Sequence, residues 1–328
     1  MSRRRIPDAV LSAAHARARA RETDDWAEAD RLRAEIEAAG WRIVDRGTDF
    51  ALTPGVPPDV TDGSRIRYGS SLSVPSRLGD PAVGLATVVM IATGPPDDPA
   101  RALEGLGAGS PDGTSVVIVA DGPSPEQTAA LDALETQASS RFPVEVVWTS
   151  ERLGYGAATN IGVRRAAGPV IVLLDTSLEP SGDVLTPLVN ALDDITVAVA
   201  GGWGIVSADL RRFSGASAGD VDAFEGSLQA FRRSDYPERG PFDERFRSRR
   251  NLAIWWSLVL RDEGQGTPPR RAVSLAGLPI DRRDSREEAG LGDAERDRQA
   301  KRDFYRLIDR FGPRLDLVSG AATDPRRG

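Results

Sequence analysis

The sequence predicts an α/β fold organised on a mostly parallel β-sheet flanked by helices. Five short, β-branched apolar runs recur between residues 87 and 200 with helical patterns between them, the rhythm of successive β-α-β units. One run, Val170–Leu174, is apolar at every position, as expected of a strand covered on both faces. Two runs stop on a carboxylate, Asp121 and Asp175. Ligands of open α/β sheets gather at the carboxyl ends of the strands, so these two acids head the candidate site residues.

Residues 1–53 read as a separate helical hairpin with a short β-hairpin behind it. Pro7 suits a helix start, and Asp8–Arg21 is rich in helix-favouring Ala and Arg. Thr23–Asp25 supplies turn and capping residues. A second helix follows, with Trp26, Ala29, Leu32, Ile36 and Ala39 at three- and four-residue intervals and Gly40 stopping it. Trp41–Val44 and Phe50–Leu52 flank Arg46-Gly47-Thr48 as a hairpin. Residues 54–85 hold Pro54, Pro57, Pro58, Pro75 and Pro81 among Gly and Ser, the composition of an extended connector.

Residues 86–264 carry the sheet. Strands are expected at Thr87–Ala92, Ser115–Ala120, Val144–Trp148, Val170–Leu174 and Thr196–Ala200, and helices at Pro99–Leu106, Pro125–Ser139 and Thr159–Ala167. Residues 265–328 read as a polar, Arg/Asp-rich extension. It ends in an amphipathic helix over Ala294–Phe311, whose Phe304, Leu307, Ile308 and Phe311 share a face expected to dock on the sheet domain. From Gly320 onward the chain is expected to fray.

Composition narrows the chemistry. The 328 residues are 40% hydrophobic and 28% charged, ordinary values for a soluble globular protein, and the length suggests two domains. Without cysteine there is no disulfide, thiolate nucleophile or Cys-based zinc site. The one histidine, His15, sits in an Ala/Arg-rich helix, which argues against a Ser-His-Asp triad and a His-rich metal site. GASAG at 215–219 matches a nucleophile-elbow spacing but follows no convincing strand, and reads as a loop. The net charge of −7 does not favour general polyanion binding. No apolar run approaches the ~20 residues of a membrane helix, and no apolar stretch backs the basic opening MSRRRIPDAV, so a cytoplasmic location is expected.

The stretch RLGYGAATNIGVRRAAGPVIVLLDTSLEP, Arg152–Pro180, resembles the inverting family-2 glycosyltransferases, which carry the GT-A nucleotide-sugar fold. Gly154, Gly156, Ala158, Asn160, Gly162, Asp175 and Pro180 fit that family's loop–helix–strand pattern. FEGSLQAFRR at 224–233 and PFDERFRSRRNLAIWWSL at 241–258 resemble its acceptor side. The resemblance implies a nucleotide-diphospho-sugar donor and an acceptor of unspecified kind. It implies a divalent cation, Mg²⁺ or Mn²⁺, at Asp175, and donor contacts from Thr93, Asp121, Arg152, Gly154, Asn160 and Asp175. Two departures stand out. The second metal-site acid is missing, because the chain reads Asp175-Thr176-Ser177. Where the family carries its base the chain reads Arg250-Asn251-Leu252-Ala253, leaving Asp243, Glu244 or Glu225 to activate the acceptor. Trp255 and Trp256 would stack on a sugar or pack in the core.

Residues 1–53, through ARARARETDDWAEADRLRAEIEAAGWRIVD, resemble the small C-terminal domain of bacterial cysteinyl-tRNA synthetases. That likeness implies a contact with tRNA through Arg3, Arg4, Arg5, Arg17, Arg19 and Arg21; a solvated helix face is the plainer reading. The function expected from the whole chain is sugar transfer from a nucleotide-diphospho-sugar with a degenerate metal and base motif. The alternatives are a catalytically inactive nucleotide-sugar-binding or scaffold relative, and an RNA-binding protein led by residues 1–53.

Overall fold

Residues 6–46, 49–136, 141–283 and 293–319 are described by the computed structural model, in which the chain divides into two compact units, residues 1–59 and 60–328. Arg3–Arg5, the Gly47-Thr48 turn, the end of the helix expected to reach Ser139, and the tail from Gly320 lie outside the described residues.

The first unit folds as helices α1 (Asp8–Glu22) and α2 (Trp26–Ala38) followed by strands β1 (Trp41–Arg46) and β2 (Asp49–Pro54), paired antiparallel. The Asp25 side chain caps α2 by accepting from Glu28 N. Val10, Ala13, Ala14, Leu32, Ile36, Trp41 and Ile43 close a small core. Ala29, Leu32 and Ile36 keep their expected buried places, but Trp26 is exposed, at the first position of α2, with Arg21 over its ring. Among the described residues, four of the unit's arginines are paired within it. Arg17 and Arg21 both pair with Asp45, Arg31 with Glu28 and Glu35, and Arg33 with Glu37. His15 is exposed, edge-on to Phe50.

The second unit is built on a ten-stranded mixed sheet. Its elements run β3 (Val60–Asp62), β4 (Arg65–Tyr68), β5 (Ala86–Ile91), α3 (Asp98–Gly109), β6 (Thr114–Ala120), α4 (Pro125–Thr136), β7 (Val144–Thr149), α5 (Tyr155–Arg165) and β8 (Val170–Leu174). After these come β9 (Leu178–Pro180), α6 (Leu185–Ala191), β10 (Val197–Gly201), β11 (Gly204–Ser207), β12 (Phe213–Gly215), β13 (Gly219–Val221) and β14 (Ala223–Phe224). The chain continues through β15 (Leu228–Arg232), α7 (Asp235–Arg239), α8 (Arg249–Arg261), β16 (Arg271–Ser274), β17 (Ile280–Arg282) and α9 (Asp293–Phe311). Across the main sheet the order is β13-β16-β10-β15-β8-β5-β6-β7-β4-β3. Its centre, β8-β5-β6-β7, is parallel, and β15 lies antiparallel between β8 and β10.

The pleat sorts the core into two layers. From β5, Val89 and Ile91 join one cluster with Ile161 of α5 and with α8, while Val88 and Met90 join another with Leu106, Leu131 and Leu188 of α3, α4 and α6. Helix α5 lies close on the sheet because Gly162 faces Val89: a Cβ there would sit 2.2 Å from Val89 Cγ1. On α9, Leu307 and Phe311 are buried in the cluster that holds α8, so the terminal helix docks as expected.

Two expectations are corrected. Residues 60–85 belong to the sheet unit: β3 and β4 form a hairpin, and β4 pairs in parallel with β7. The rest of that stretch is irregular, with turns at residues 71–73 and 78–79, and arginines satisfy its backbone carbonyls, Arg164 at Val74, Arg165 at Pro75 and Arg233 at Asp80. Within 265–328, β16 is a sheet strand parallel to β10, and β17 pairs with β9. Among the described residues no helix is long and apolar enough to cross a membrane.

Candidate active site

Strand β8 ends at Leu174, and the next residue, Asp175, opens the site. The antiparallel partner β15 brings residues 225–227 to the same edge, where Asp175 N–H donates to Ser227 O at 2.8 Å. The Asp175 side chain is only 10% exposed, and both of its oxygens are engaged. Oδ1 accepts from the Ser177 hydroxyl and from Ser177 N at 3.0 Å. Oδ2 forms an ion pair with Arg249 in the first turn of α8. Beside them Glu225 meets Arg250 at 3.9 Å and Arg282 at 3.5 Å, while Arg283 pairs with Glu179 at 2.8 Å. The end of β8 is thus ringed by guanidinium groups.

The other candidate residues divide. Asp121 and Asp175 follow β6 and β8, which flank β5, so the two acids share the carboxyl edge of the sheet, with a strand spacing of about 10 Å between their chains. Asp121 is buried, and Leu153 N and Gly154 N donate to its two oxygens at 2.7 and 2.9 Å. Burial pushes its carboxyl above the ordinary range, against the pull of these N–H donors. Its carboxylate therefore fastens the loop before α5. Gly122 allows that approach: its φ is +59°, and a Cβ at this position would lie only 2.5 Å from Arg152 N. Arg152 is exposed, Gly154 precedes α5, and Thr93 is half-buried beyond β5.

Asn160 does not reach the edge. It is 2% exposed, with Nδ2 donating to Phe242 O and Glu244 Oε1 and Oδ1 accepting from Tyr236 Oη and Phe242 N. These four bonds fill its capacity and tie α5 to residues 236–244. Glu244 also accepts from Ser71, and Asp243 is bound in a bidentate manner by Arg245. Burial raises the Asp243 carboxyl, but the Arg245 hydrogen bonds outweigh it and leave the group below its ordinary range. Asp243 and Glu244 thus act as loop clamps, and Glu225 is the proposed base that lies on the strand-end side. Trp255 and Trp256 are buried with Phe242 and Phe246, as core residues.

Sequence reasoning missed Arg249, Arg282 and Asp303. Asp303 of α9 is fully buried and accepts from the N–H groups of Arg247 and Ser248 ahead of α8. A signal for Arg249 existed: two consecutive arginines at a helix start oppose the helix dipole and call for anionic neighbours.

The donor set at Asp175 does not fit a divalent cation. Mg²⁺ and Mn²⁺ favour several oxygen ligands, commonly including carboxylates, yet here one carboxylate is offered and a guanidinium already pairs with it. Among the described residues no group of three or more His, Cys, Asp or Glu converges. Elsewhere, a groove of about 690 Å³ opens between the β3–β4 hairpin and β7, where Arg65 stacks on Trp148 at 3.9 Å; Asp175, Arg249 and Glu225 do not line it.

A family model described as glycosyl transferase family 2 matches residues 87–253. No curated protein matches the chain by sequence. Among solved structures, the mannosyltransferase PcManGT from Pyrobaculum calidifontis, in complex with GDP-Man and Mn²⁺, is similar with a TM-score of 0.53 and 19% identity, over 75% of this chain and 73% of that one. GalNAc-T7 with UDP, GalNAc and Mn²⁺ gives 0.53 and 15%, over 69% of this chain and 48% of that one. At these identities the likeness is one of fold, the GT-A type. Nothing in these comparisons supports the synthetase-like reading of residues 1–53.

Proposed function

We propose that this chain, which belongs to glycosyl transferase family 2, transfers a sugar from a nucleotide-diphospho-sugar to an acceptor hydroxyl at the carboxyl edge of the sheet. The observation that carries this reading is the placement of Asp175 at the end of β8 under a ring of arginines, chemistry suited to a diphosphate. In the proposed step the bond from the anomeric carbon to the diphosphate oxygen breaks and its electron pair stays on phosphate. A bond from that carbon to the acceptor oxygen forms, and Glu225 takes the acceptor's proton. Preorganised positive charge around the departing diphosphate lowers the barrier without reorganisation.

The test is release of nucleoside diphosphate from a panel of nucleotide sugars, by wild type, Asp175→Asn and Glu225→Gln. Asp175→Asn is expected to lower turnover by ~10²–10³ through a misplaced arginine, and Glu225→Gln by ~10²–10⁴. Turnover unchanged in both would remove the reading.

A second reading is a non-catalytic nucleotide-sugar-binding relative. It is favoured by one observation: Asn251 and Ala253 stand where the family's acid is expected, and Asn251 is itself tied to Ala300 O on α9. Turnover absent in wild type and gained in Ala253→Asp would support it.

A further inference from the structure

We infer that Arg249 stands in the place of a divalent cation, so that this chain binds its donor diphosphate without metal. The inference rests on the nucleotide-sugar reading above and adds to it how the diphosphate charge is met.

Three observations carry it. First, a cation at Asp175 would have to displace a guanidinium already paired with Oδ2, while Oδ1 is held by the Ser177 hydroxyl and N–H. Second, Arg249 and Arg250 begin α8, where the positive end of the helix dipole disfavours cations. Negative charge beside them offsets that cost. Third, three guanidinium groups gather on two carboxylates at the end of β8: Arg249 pairs with Asp175, and Arg250 and Arg282 pair with Glu225. Arg283 is set apart from this group by its pair with Glu179. A diphosphate brings further negative charge to the same edge.

The chemistry follows from the guanidinium group. It is planar, always charged, and donates two parallel N–H bonds to phosphate oxygens, whereas a metal ion needs oxygen ligands that Asp175 alone does not supply. Asp175 then acts as a positioning residue: with Ser177 locking one oxygen, the other holds the Arg249 guanidinium at the end of β8.

The experiment is calorimetric titration of UDP and GDP into the full chain, once in EDTA and once in Mn²⁺. The better-binding nucleotide is expected to have the same Kd in both buffers within about threefold. Arg249→Ala is expected to weaken it in EDTA by about 10–100-fold, the loss of a charge-assisted hydrogen-bonding group. Arg249→Lys keeps the charge and the partner of Asp175, and should fall between the two, which separates loss of diphosphate contact from loss of folding. Binding by wild type in Mn²⁺ but not in EDTA would overturn the inference and leave the nucleotide-sugar reading standing. Wild-type affinity in Arg249→Ala would overturn it as well. Absence of binding in both buffers would remove the nucleotide-sugar reading and this inference together.

Discussion

Replacing Asp303 with alanine is expected to destabilise the sheet unit far more than replacing it with asparagine. Asp303 is fully buried on α9, and a single oxygen, Oδ2, accepts from Arg247 N at 2.7 Å and Ser248 N at 2.6 Å. The other oxygen accepts from Arg306, whose side chain is 35% exposed. Alanine leaves two part-buried N–H donors without their acceptor, at about 1–3 kcal/mol each and toward the lower end where water reaches them, so a loss of about 2–4 kcal/mol is expected. Asparagine can present its one carbonyl oxygen to both donors and forfeits only the part-exposed ion pair, worth about 1 kcal/mol or less. Urea unfolding followed by near-ultraviolet dichroism reads the packing around Trp255 and Trp256, which lie on α8, the helix that Arg247 and Ser248 lead into. Equal losses in the two variants, or an alanine variant as stable as wild type, would refute this role.

Three further outcomes follow from the packing and the ion pairs. Gly162→Ala should lower stability by about 1–3 kcal/mol despite alanine's helix propensity, because Val89 Cγ1 lies 2.2 Å from the new methyl and a branched side chain has little room to turn; a melting temperature at or above wild type would contradict the close approach of α5. Asn160→Ala should cost about 3–5 kcal/mol by leaving Tyr236 Oη and the Phe242 backbone unpaired, and it should alter nucleotide affinity little in protein that remains folded, an outcome calorimetry checks. Asp45 is held below the ordinary carboxylate range by its hydrogen bond with Arg17 against a burial penalty, with Arg21 assisting. A depressed folded value stabilises above the unfolded value and is lost as pH falls through it. The side chain is over a third exposed, so wild type should exceed Asp45→Asn by no more than about 1 kcal/mol at neutral pH, with the gap closing below about pH 4 in thermal melts.

The central sheet was legible because its strands are long enough to show uninterrupted apolar runs. Val170–Leu174 is a strand over the expected residues, and the neighbouring runs shift by only a residue or so. The hairpin of β3 and β4 was hidden by the prolines around it, although Asp62-Gly63 carries a turn signal and Gly63 adopts φ +62°. Strand β16 is four residues within a polar stretch, too short for period-two patterning to register. At the site, the strand-end positions of Asp121 and Asp175 could be read from sequence, because a carboxylate that ends an apolar run is a local feature. Their partners could not. Arg249 meets Asp175 across the loop and helix that follow β15, and Asn160 meets Tyr236, Phe242 and Glu244, contacts set by tertiary packing rather than spacing. The missing acids at Asn251 and Ala253 were visible, and so were the paired arginines at a helix start, whereas the choice of Asp175 as the partner of Arg249 was not.

The most direct measurement is a crystal structure of the full chain with UDP or GDP bound. The expected result is a diphosphate beyond the end of β8 in hydrogen-bond contact with Arg249, with Ser177 still donating to Asp175. A nucleotide seated instead in the groove between β4 and β7, on Arg65 and Trp148, with Arg249 untouched, would contradict the assignment of the donor site.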